Sequence, residues 1–188
     1  MESASLQDLE NERYNAFYSI ATSDRKLGEG HLEIDEMVRV LFHMYTIATV
    51  KVIPLTDRIH TIKGADKDEV NMDTLVQNVN RLCIGMLHAL GTDKGIDAYN
   101  AYRESEQAKT ALLMEKLIRL AEQYQKTPTE ELLNEINPVK EELLDYELRL
   151  EGLENFTAQF QSVIDEKVNT QSDKSLVEIA IAQGKISA

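Results

Sequence analysis

Ten positions between Leu132 and Ile164 follow strict three-four spacing, and nine of the ten are apolar. This is a heptad seam, in which a helix presents one apolar edge that a second helix must cover. The seam therefore predicts a long helix that packs along its length against another helix. The ten positions are Leu132, Ile136, Val139, Leu143, Tyr146, Leu150, Leu153, Thr157, Phe160 and Ile164.

Few residues in the chain interrupt helices. Among 188 residues there are only 8 Gly and 3 Pro, whereas 43% are hydrophobic. An all-β domain needs more turns than this, and a disordered chain lacks so much apolar material. We therefore predict an all-α fold. It is a multi-helix bundle with a long antiparallel coiled-coil hairpin and a short C-terminal docking helix.

The chain is strongly acidic, with a formal net charge of −13. Such a surface repels DNA and anionic membranes, so we expect no nucleic-acid partner. Much of the charge falls between Asp97 and Asp173, where 17 acidic and 8 basic residues give a net of −9. The acidic surface suits basic partners, although a solvated surface without any partner accounts for the same charge.

Two helices are marked by capping residues. The first spans about Leu6–Leu27, with Ser5 beginning a capping box. The third spans about Met72–Leu90, with Asn71 as its cap and a regular apolar face. Gly85 lies inside the third helix and costs about 1 kcal/mol relative to alanine. A close contact with another helix would justify that cost, and chance explains it equally well.

The second helix is apolar almost all round. It runs from about Glu33 to Pro54, or alternatively resumes and reaches Ile62, and we expect it to be the central helix. The 19 residues from Met37 to Leu55 are long enough for a membrane check. Arg39 and Lys51 lie within them, and charges at that depth oppose insertion. We therefore expect a buried core helix and no membrane insertion.

The coiled-coil hairpin is predicted from two seams and the signal between them. The fourth helix begins after Asp97 as N-cap and runs to about Lys126. The sequence Thr127-Pro128-Thr129-Glu130 has the pattern of a capping box with proline at the first helical position. It predicts a fifth helix over about Pro128–Asn169, kinked at Pro138. So short a connection favours antiparallel neighbours.

The C-terminal segment predicts one more short helix. Ser175 and Glu178 form a capping box before an apolar stretch, Leu176 to about Gln183, and Gly184 ends it. A helix this short is marginal alone, so we expect it to dock on the bundle or on a neighbouring subunit.

We predict three segments along the chain, with one single domain as the alternative. Residues 1–96 form the helical bundle core and residues 97–170 the antiparallel coiled-coil hairpin. Residues 171–188 form a hinge and the short helix. The N-terminus is polar and acidic, so we expect no cleavable signal peptide. The expected location is the cytoplasm or an assembled particle or apparatus.

The sequence contains no recognisable catalytic or metal-binding motif. Cys83 is the single cysteine and is expected to fill the core. Asp57 and His60 are half of a carboxylate–histidine pair, but the second Glu-x-x-His motif of a di-iron bundle is missing. Phosphate-binding loops and G-x-S-x-G are also missing. We therefore predict no catalytic residue, no cofactor, no metal and no small-molecule substrate, and hence a protein that is not an enzyme.

The remaining hypotheses are protein-binding functions. The first is a structural or assembly subunit of a larger complex, of the virion, secretion-apparatus or filament type, which self-associates or joins an assembly through helix–helix interfaces. The alternative is a chaperone or adaptor that binds a partner helix in an apolar groove. The interface candidates are Leu143, Tyr146, Leu150, Leu153, Phe160, Leu176, Val177, Ile179 and Ile181.

Overall fold

The computed structural model describes residues 4–187. Residues 1–3, where the segment expected not to be a signal peptide begins, and residue 188 lie outside the described residues. Every regular element of the described part is helical and none is a strand, which confirms the all-α helical bundle. The elements are α1 (Leu6–Gly28), α2 (Ile34–Thr46), a π-helical segment (Ile47–Val52), α3 (Ile53–Lys63), a 3₁₀ turn (Ala65–Lys67), α4 (Met72–Leu90), α5 (Gly95–Lys126), α6 (Glu130–Asn169) and α7 (Leu176–Ala182).

Helices α1 and α4 begin at the residues that the sequence predicts. The Ser5 hydroxyl accepts the Asp8 N–H and the Asp8 carboxylate accepts the Ser5 N–H, both at 3.1 Å, which completes a capping box. The Asn71 side-chain oxygen accepts the N–H groups of Asp73 and Thr74 at 2.9 and 3.2 Å. Each cap satisfies amide groups that have no partner within their own helix.

The second helix does not end at Pro54, as the sequence suggests. It continues through the π-helical segment into α3 and spans 30 residues, Ile34–Lys63. At the end of the π segment the Ile53 N–H reaches the carbonyl of Ala48, five residues back. Proline inside an α-helix clashes with the carbonyl four residues earlier and donates no hydrogen bond. The wider π turn before Pro54 relieves that conflict, as local π adjustments do around other helix prolines.

Helix α5 begins at Gly95, and the predicted N-cap Asp97 already lies inside it. Lys94 occupies the capping position in the left-handed conformation, with φ of 63°. A Cβ on Gly95 would collide with the backbone carbonyls of Ala89 and Leu90. The turn after α4 is therefore tight enough to start the next helix two residues early.

The cap of α6 is also shifted from its predicted position. Thr129, not Thr127, is the N-cap, and its hydroxyl accepts the Leu132 N–H at 3.2 Å. Glu130 is then the first helical residue, too early to close the predicted box. The helix continues through Pro138 to Asn169.

The largest core cluster is built around aromatic side chains from α2, α5 and α6. Phe42 stacks on Tyr99 with ring centroids 5.4 Å apart, and Phe156 meets the edge of Phe42 at 4.8 Å. Side chains of α4 and α7 complete the same cluster, among them Met86 and Ile179. Because α2 contacts α1, α4, α5 and α6, it is the central helix, as expected. The predicted division into three segments stays a prediction.

The one polar position of the seam lies inside this core. Thr157 is hydrogen-bonded to the Tyr99 hydroxyl and donates to the Leu153 carbonyl at 2.8 Å. Its hydroxyl is therefore satisfied although it is buried. The break in the heptad pattern thus corresponds to a polar contact between α5 and α6.

Helix α6 approaches α2 closely at Gly152. A Cβ built there would overlap the side chain of Thr46, which is itself buried. Gly152 has a quite different environment from Gly85, where a Cβ would meet no heavy atom within 4 Å. Both glycines lie inside helices, so the same substitution tests a crowded position against an open one.

We predict that Gly152→Ala and Gly85→Ala change stability in opposite directions. At Gly152 the added methyl group overpacks the contact with Thr46, and we expect a loss of about 1–3 kcal/mol. At Gly85 it only improves helix propensity, and we expect a gain of up to about 1 kcal/mol. Urea unfolding of the two variants beside the parent measures both changes. Equal effects at the two positions would contradict the close approach of α6 to α2.

Candidate functional site

The nine interface candidates differ in how far the chain itself covers them. Tyr146, Leu150 and Val177 are half-buried, and Ile181 is 38% exposed. The remaining five are buried against helices of the same chain, so the seam is largely covered within one molecule. These five are Leu143, Leu153, Phe160, Leu176 and Ile179.

A large apolar groove lies on another part of the bundle. Its volume is about 860 Å³. Helices α1 and α4 form its two walls, and the floor is the continuous helix from α2 through the π segment to Ile53. We call it the α1–α4 groove. Its lining residues are Phe17, Ile20, Ala21, Asp24, Leu27, Leu41, Met44, Ala48, Val52, Ile53, Leu75, Asn78, Val79, Arg81, Leu82 and Gly85.

The two walls have matching lengths. The lining residues run from Phe17 to Leu27 on α1 and from Leu75 to Gly85 on α4. Ten residue steps in a helix correspond to about 15 Å, or nearly three turns. The groove could therefore accept three apolar side chains at i, i+4 and i+7 of one helix.

Polar side chains lie at the edges of the groove and apolar ones on its floor. Asp24, Asn78 and Arg81 are exposed, whereas the floor residues Leu41 and Val52 are buried. An apolar centre inside a polar rim is typical of protein-binding surfaces.

Gly85 widens the α4 wall. The sequence left open a close helix contact at this position, but no other helix of the chain approaches it. The missing side chain instead leaves space inside the groove. The helix-propensity cost of this glycine is therefore not offset by any contact within the described residues.

Two exposed tyrosines extend the apolar surface beyond the α1 wall. Tyr14 and Tyr18 are 70% and 67% exposed. Helical spacing places Tyr14 beside Phe17 and Tyr18 beside Ala21, and both of those residues line the groove. Tyrosine is enriched at protein interfaces because its ring supplies contact area while its hydroxyl stays hydrogen-bonded.

A separate buried polar cluster joins α1 to α3 and to the loop before α4. The Arg13 guanidinium donates two hydrogen bonds to the Asp68 carboxylate, at 2.6 and 2.7 Å. The Asp68 side chain is only 1% exposed. Thr56 and Lys63 complete the surroundings, with Lys63 Nζ 3.6 Å from Asp68. A paired, hydrogen-bonded carboxylate can be buried at acceptable cost, so the cluster holds the loop in place.

His60 belongs to this cluster rather than to the predicted pair with Asp57. Its Nε2 lies 2.8 Å from Asp68 and 3.1 Å from the Val70 carbonyl. Since both neighbours accept hydrogen bonds, Nε2 carries a proton. Asp57, three residues before His60, is exposed and turned away from the cluster. The hydrogen bonds from Arg13, above all, hold the pKa of Asp68 well below its usual range.

The other chemistry-bearing side chains do not assemble into a metal site. Within residues 4–187 no group of three or more His, Cys, Asp or Glu could hold a metal ion. Cys83 is buried in the main core, as expected for a core-filling residue, and burial raises the pKa of its thiol to about 12. The thiol is therefore protonated and unreactive at neutral pH.

In the described part of the chain, one helix is long and apolar enough to cross a membrane, judged by length and composition alone. This is the continuous helix Ile34–Lys63, and half of its apolar window is buried inside the fold. A core helix meets the same criteria, and the contacts of α2 with four other helices account for its apolar surface.

Sequence reasoning missed both the groove and the partner of His60. The groove depends on how α1 and α4 diverge above α2, which no local pattern encodes. Asp68 lies eight residues after His60 and Arg13 lies in another helix, so helical spacing could not link them. The isolated Gly85 was the one available signal, and it was read without knowledge of its neighbours.

Comparison with known proteins identifies no relative: no family model, curated protein or solved structure matches the chain. Function is therefore argued from the described residues.

We predict that Asp68→Asn destabilises the protein by about 3–5 kcal/mol at pH 7, because it leaves the buried Arg13 charge without its partner. The lowered pKa of Asp68 means that its contribution is present above the unfolded pKa of about 3.9 and is lost as the pH falls below that value. The difference between parent and variant should therefore shrink at pH 3. Urea unfolding at both pH values measures it.

The exposed Asp57 provides the matched control. Asp57→Asn removes the same charge from the neighbouring helix and should change stability by less than about 0.5 kcal/mol. A similar loss in both variants, or a loss at Asp68 that is independent of pH, would refute the role of the buried ion pair.

Proposed function

We propose that the protein is a non-enzymatic adaptor or chaperone that holds an amphipathic helix of a partner protein in the α1–α4 groove. The observation that carries the proposal is the groove itself, an apolar channel of about 860 Å³ with two walls of equal length. Apolar grooves of this kind bind the apolar face of a helix through side chains at i, i+4 and i+7.

Charge favours a partner helix with a basic polar face. The net charge of −13 makes a second acidic chain an unfavourable occupant and attracts a basic one. A partner helix that fills the groove with leucine-like side chains would hold its lysines or arginines towards this acidic surface. The exposed Tyr14 and Tyr18 would extend the contact beyond the groove.

Burial of the seam is the reason for preferring the adaptor to the assembly subunit. The sequence-based argument for assembly rested on apolar helix surface that one chain would not cover. Five of the nine interface candidates are covered by the chain's own helices. The α1–α4 groove is the larger apolar surface that stays open.

We predict that a synthetic helical peptide of about 18 residues, with leucine at i, i+4 and i+7 and lysine at its polar positions, binds the protein. Fluorescence anisotropy of the labelled peptide measures its affinity. Gly85→Leu should weaken binding at least about tenfold, because the new side chain occupies the groove without meeting another part of the fold. Gln77→Leu adds the same side chain at an exposed position of α4 outside the groove and should leave the affinity unchanged.

A peptide with glutamate in place of lysine tests the charge argument and should bind at least tenfold more weakly. Equal binding of both peptides, or equal effects of the two leucine substitutions, would refute the proposal. Uptake of laurate but of neither peptide would assign the groove to a lipid-like ligand. A concentration-dependent dimer abolished by Gly85→Leu would assign it to a second copy of the chain.

A second candidate is the assembly subunit, acting through a coiled-coil arm. We propose that α5 and α6 form an antiparallel coiled-coil hairpin, supported by the pairing of Arg103 with Glu154 and of Glu106 with Arg149, each at 3.0 Å. Further along, Leu120 clusters with Ile136. We propose α7 as the docking helix, held by side chains in the main core.

One apolar face of this arm is open. Met114 and Ile118 on α5 are exposed, as are Leu133 and Leu144 on α6. Each pair lies about 100–140° from the inner face of its helix, and for helices of opposite direction these offsets fall on the same side of the arm. A second arm could cover that face once its negative charge is screened.

Self-association through the arm predicts a specific dependence on salt. Size-exclusion chromatography with light scattering should detect dimers that increase with ionic strength, since salt screens the repulsion between acidic arms. Ile118→Glu should remove them, whereas Gly85→Leu should not. A monomer at every salt concentration would eliminate this candidate and leave the adaptor.

A further inference from the structure

A second cavity, of about 450 Å³, lies between α1, α6 and the junction of α2 with the π segment. Its lining is mainly polar, unlike that of the α1–α4 groove. The residues are Glu12, Asn15, Ala16, Ser19, His43, Thr46, Ile47, Lys51, Asp145, Leu148 and Arg149. None of them lines the groove, so this polar pocket is independent of the surface on which the proposed function depends.

One end of the polar pocket is formed by Ser19, His43 and Arg149. The Ser19 hydroxyl and His43 Nε2 are 2.8 Å apart. Burial first, then the positive charges of Arg149 and Lys51, lower the pKa of His43, so its ring is neutral at pH 7. The fixed charge at this end is therefore positive, and the neutral ring and the hydroxyl add hydrogen-bonding groups.

The opposite end carries two carboxylates. Ala16, Ile47 and Leu148 belong to one apolar cluster, which marks the middle of the pocket on its three sides. Along α1, Ser19 lies before this level and Glu12 beyond it, a separation of seven residues or about 10 Å. Asp145 lies almost one turn from Leu148 in α6, on the side away from Arg149. Lys51 joins these two acids, so this end has a net negative charge.

Most of the charges are not neutralised by direct partners. Among residues 4–187, Glu12, Lys51 and Asp145 form no ion pair within 4.0 Å, whereas Arg149 pairs with Glu106 at 3.0 Å. Separated opposite charges around one cavity can bind a ligand that carries the complementary charge at each end.

We propose that the polar pocket binds a small zwitterion, with its carboxylate at Ser19, His43 and Arg149 and its ammonium group at Glu12 and Asp145. The ligand class is an amino acid whose two charged groups are separated by several bonds. This inference extends beyond the sequence, which predicts no small-molecule substrate. It assigns a binding site and no reaction, because among the described residues no carboxylate hydrogen-bonds the second ring nitrogen of His43 to complete a triad.

The test uses 6-aminohexanoate as the probe on the full-length protein. Titration followed by the His43 ring signals in ¹H–¹⁵N NMR should give saturable binding with a Kd on the order of 1 mM. Acetate and n-butylamine each carry only one of the two charges and should bind at least tenfold more weakly. Equal affinity for acetate would overturn the zwitterion assignment, and no saturable change with 6-aminohexanoate would overturn the site.

Two isosteric substitutions separate the site from a general effect of charge. Glu12→Gln should weaken 6-aminohexanoate binding by about three- to tenfold and leave acetate unaffected, because it removes a contact only with the ammonium end. Glu122→Gln removes the same charge from an exposed position of α5 and should change neither. Equal weakening by both variants would refute the proposal. Peptide binding in the α1–α4 groove should be unchanged by Glu12→Gln, so failure here is distinguishable from failure of the proposed function.

Discussion

The close approach of α6 to α2 at Gly152 and Thr46 determines how the rest of the bundle packs. One turn from this contact, in opposite directions along the two helices, lie Phe42 and Phe156, whose rings meet at 4.8 Å. Tyr99 stacks on Phe42 and links α5 to the same centre. A larger residue at position 152 would separate α2 from α6, and the aromatic contacts would weaken together. A single glycine thus allows three helices to share one core.

Much of the fold could be predicted from the sequence, because helix formation depends on neighbours three and four residues apart. The bounds of α4 and the caps of α1 and α4 follow from such local patterns. The start of α5 could not be predicted, since it depends on steric contact between Gly95 and the end of α4. The continuation through Pro54 was equally hidden, because a π turn is a compromise between a local conflict and the packing of Leu55 and its neighbours against α1.

The candidate sites were predicted less well, and for a physical reason. A seam is visible in a sequence, but whether its partner helix belongs to the same chain is not. The α1–α4 groove and the polar pocket lie on either side of the contact between α1 and α2. Both depend on angles and spacings between helices, which arise only after packing. The pairing of Arg13 with Asp68 brings together residues 55 positions apart, beyond the reach of any periodicity.

The π-helical segment sets the relative phase of the two helices that it joins. A π turn contains one residue more than an α turn, and one residue corresponds to about 100° of rotation. Without it, α2 could keep Phe42 in the main core only if α3 turned Leu55 and Ile59 away from Leu9 of α1. The extra residue allows one continuous helix to serve two cores whose directions differ. The segment thus acts as a phase shifter, and loss of one residue there would affect the fold more than loss of one from a loop.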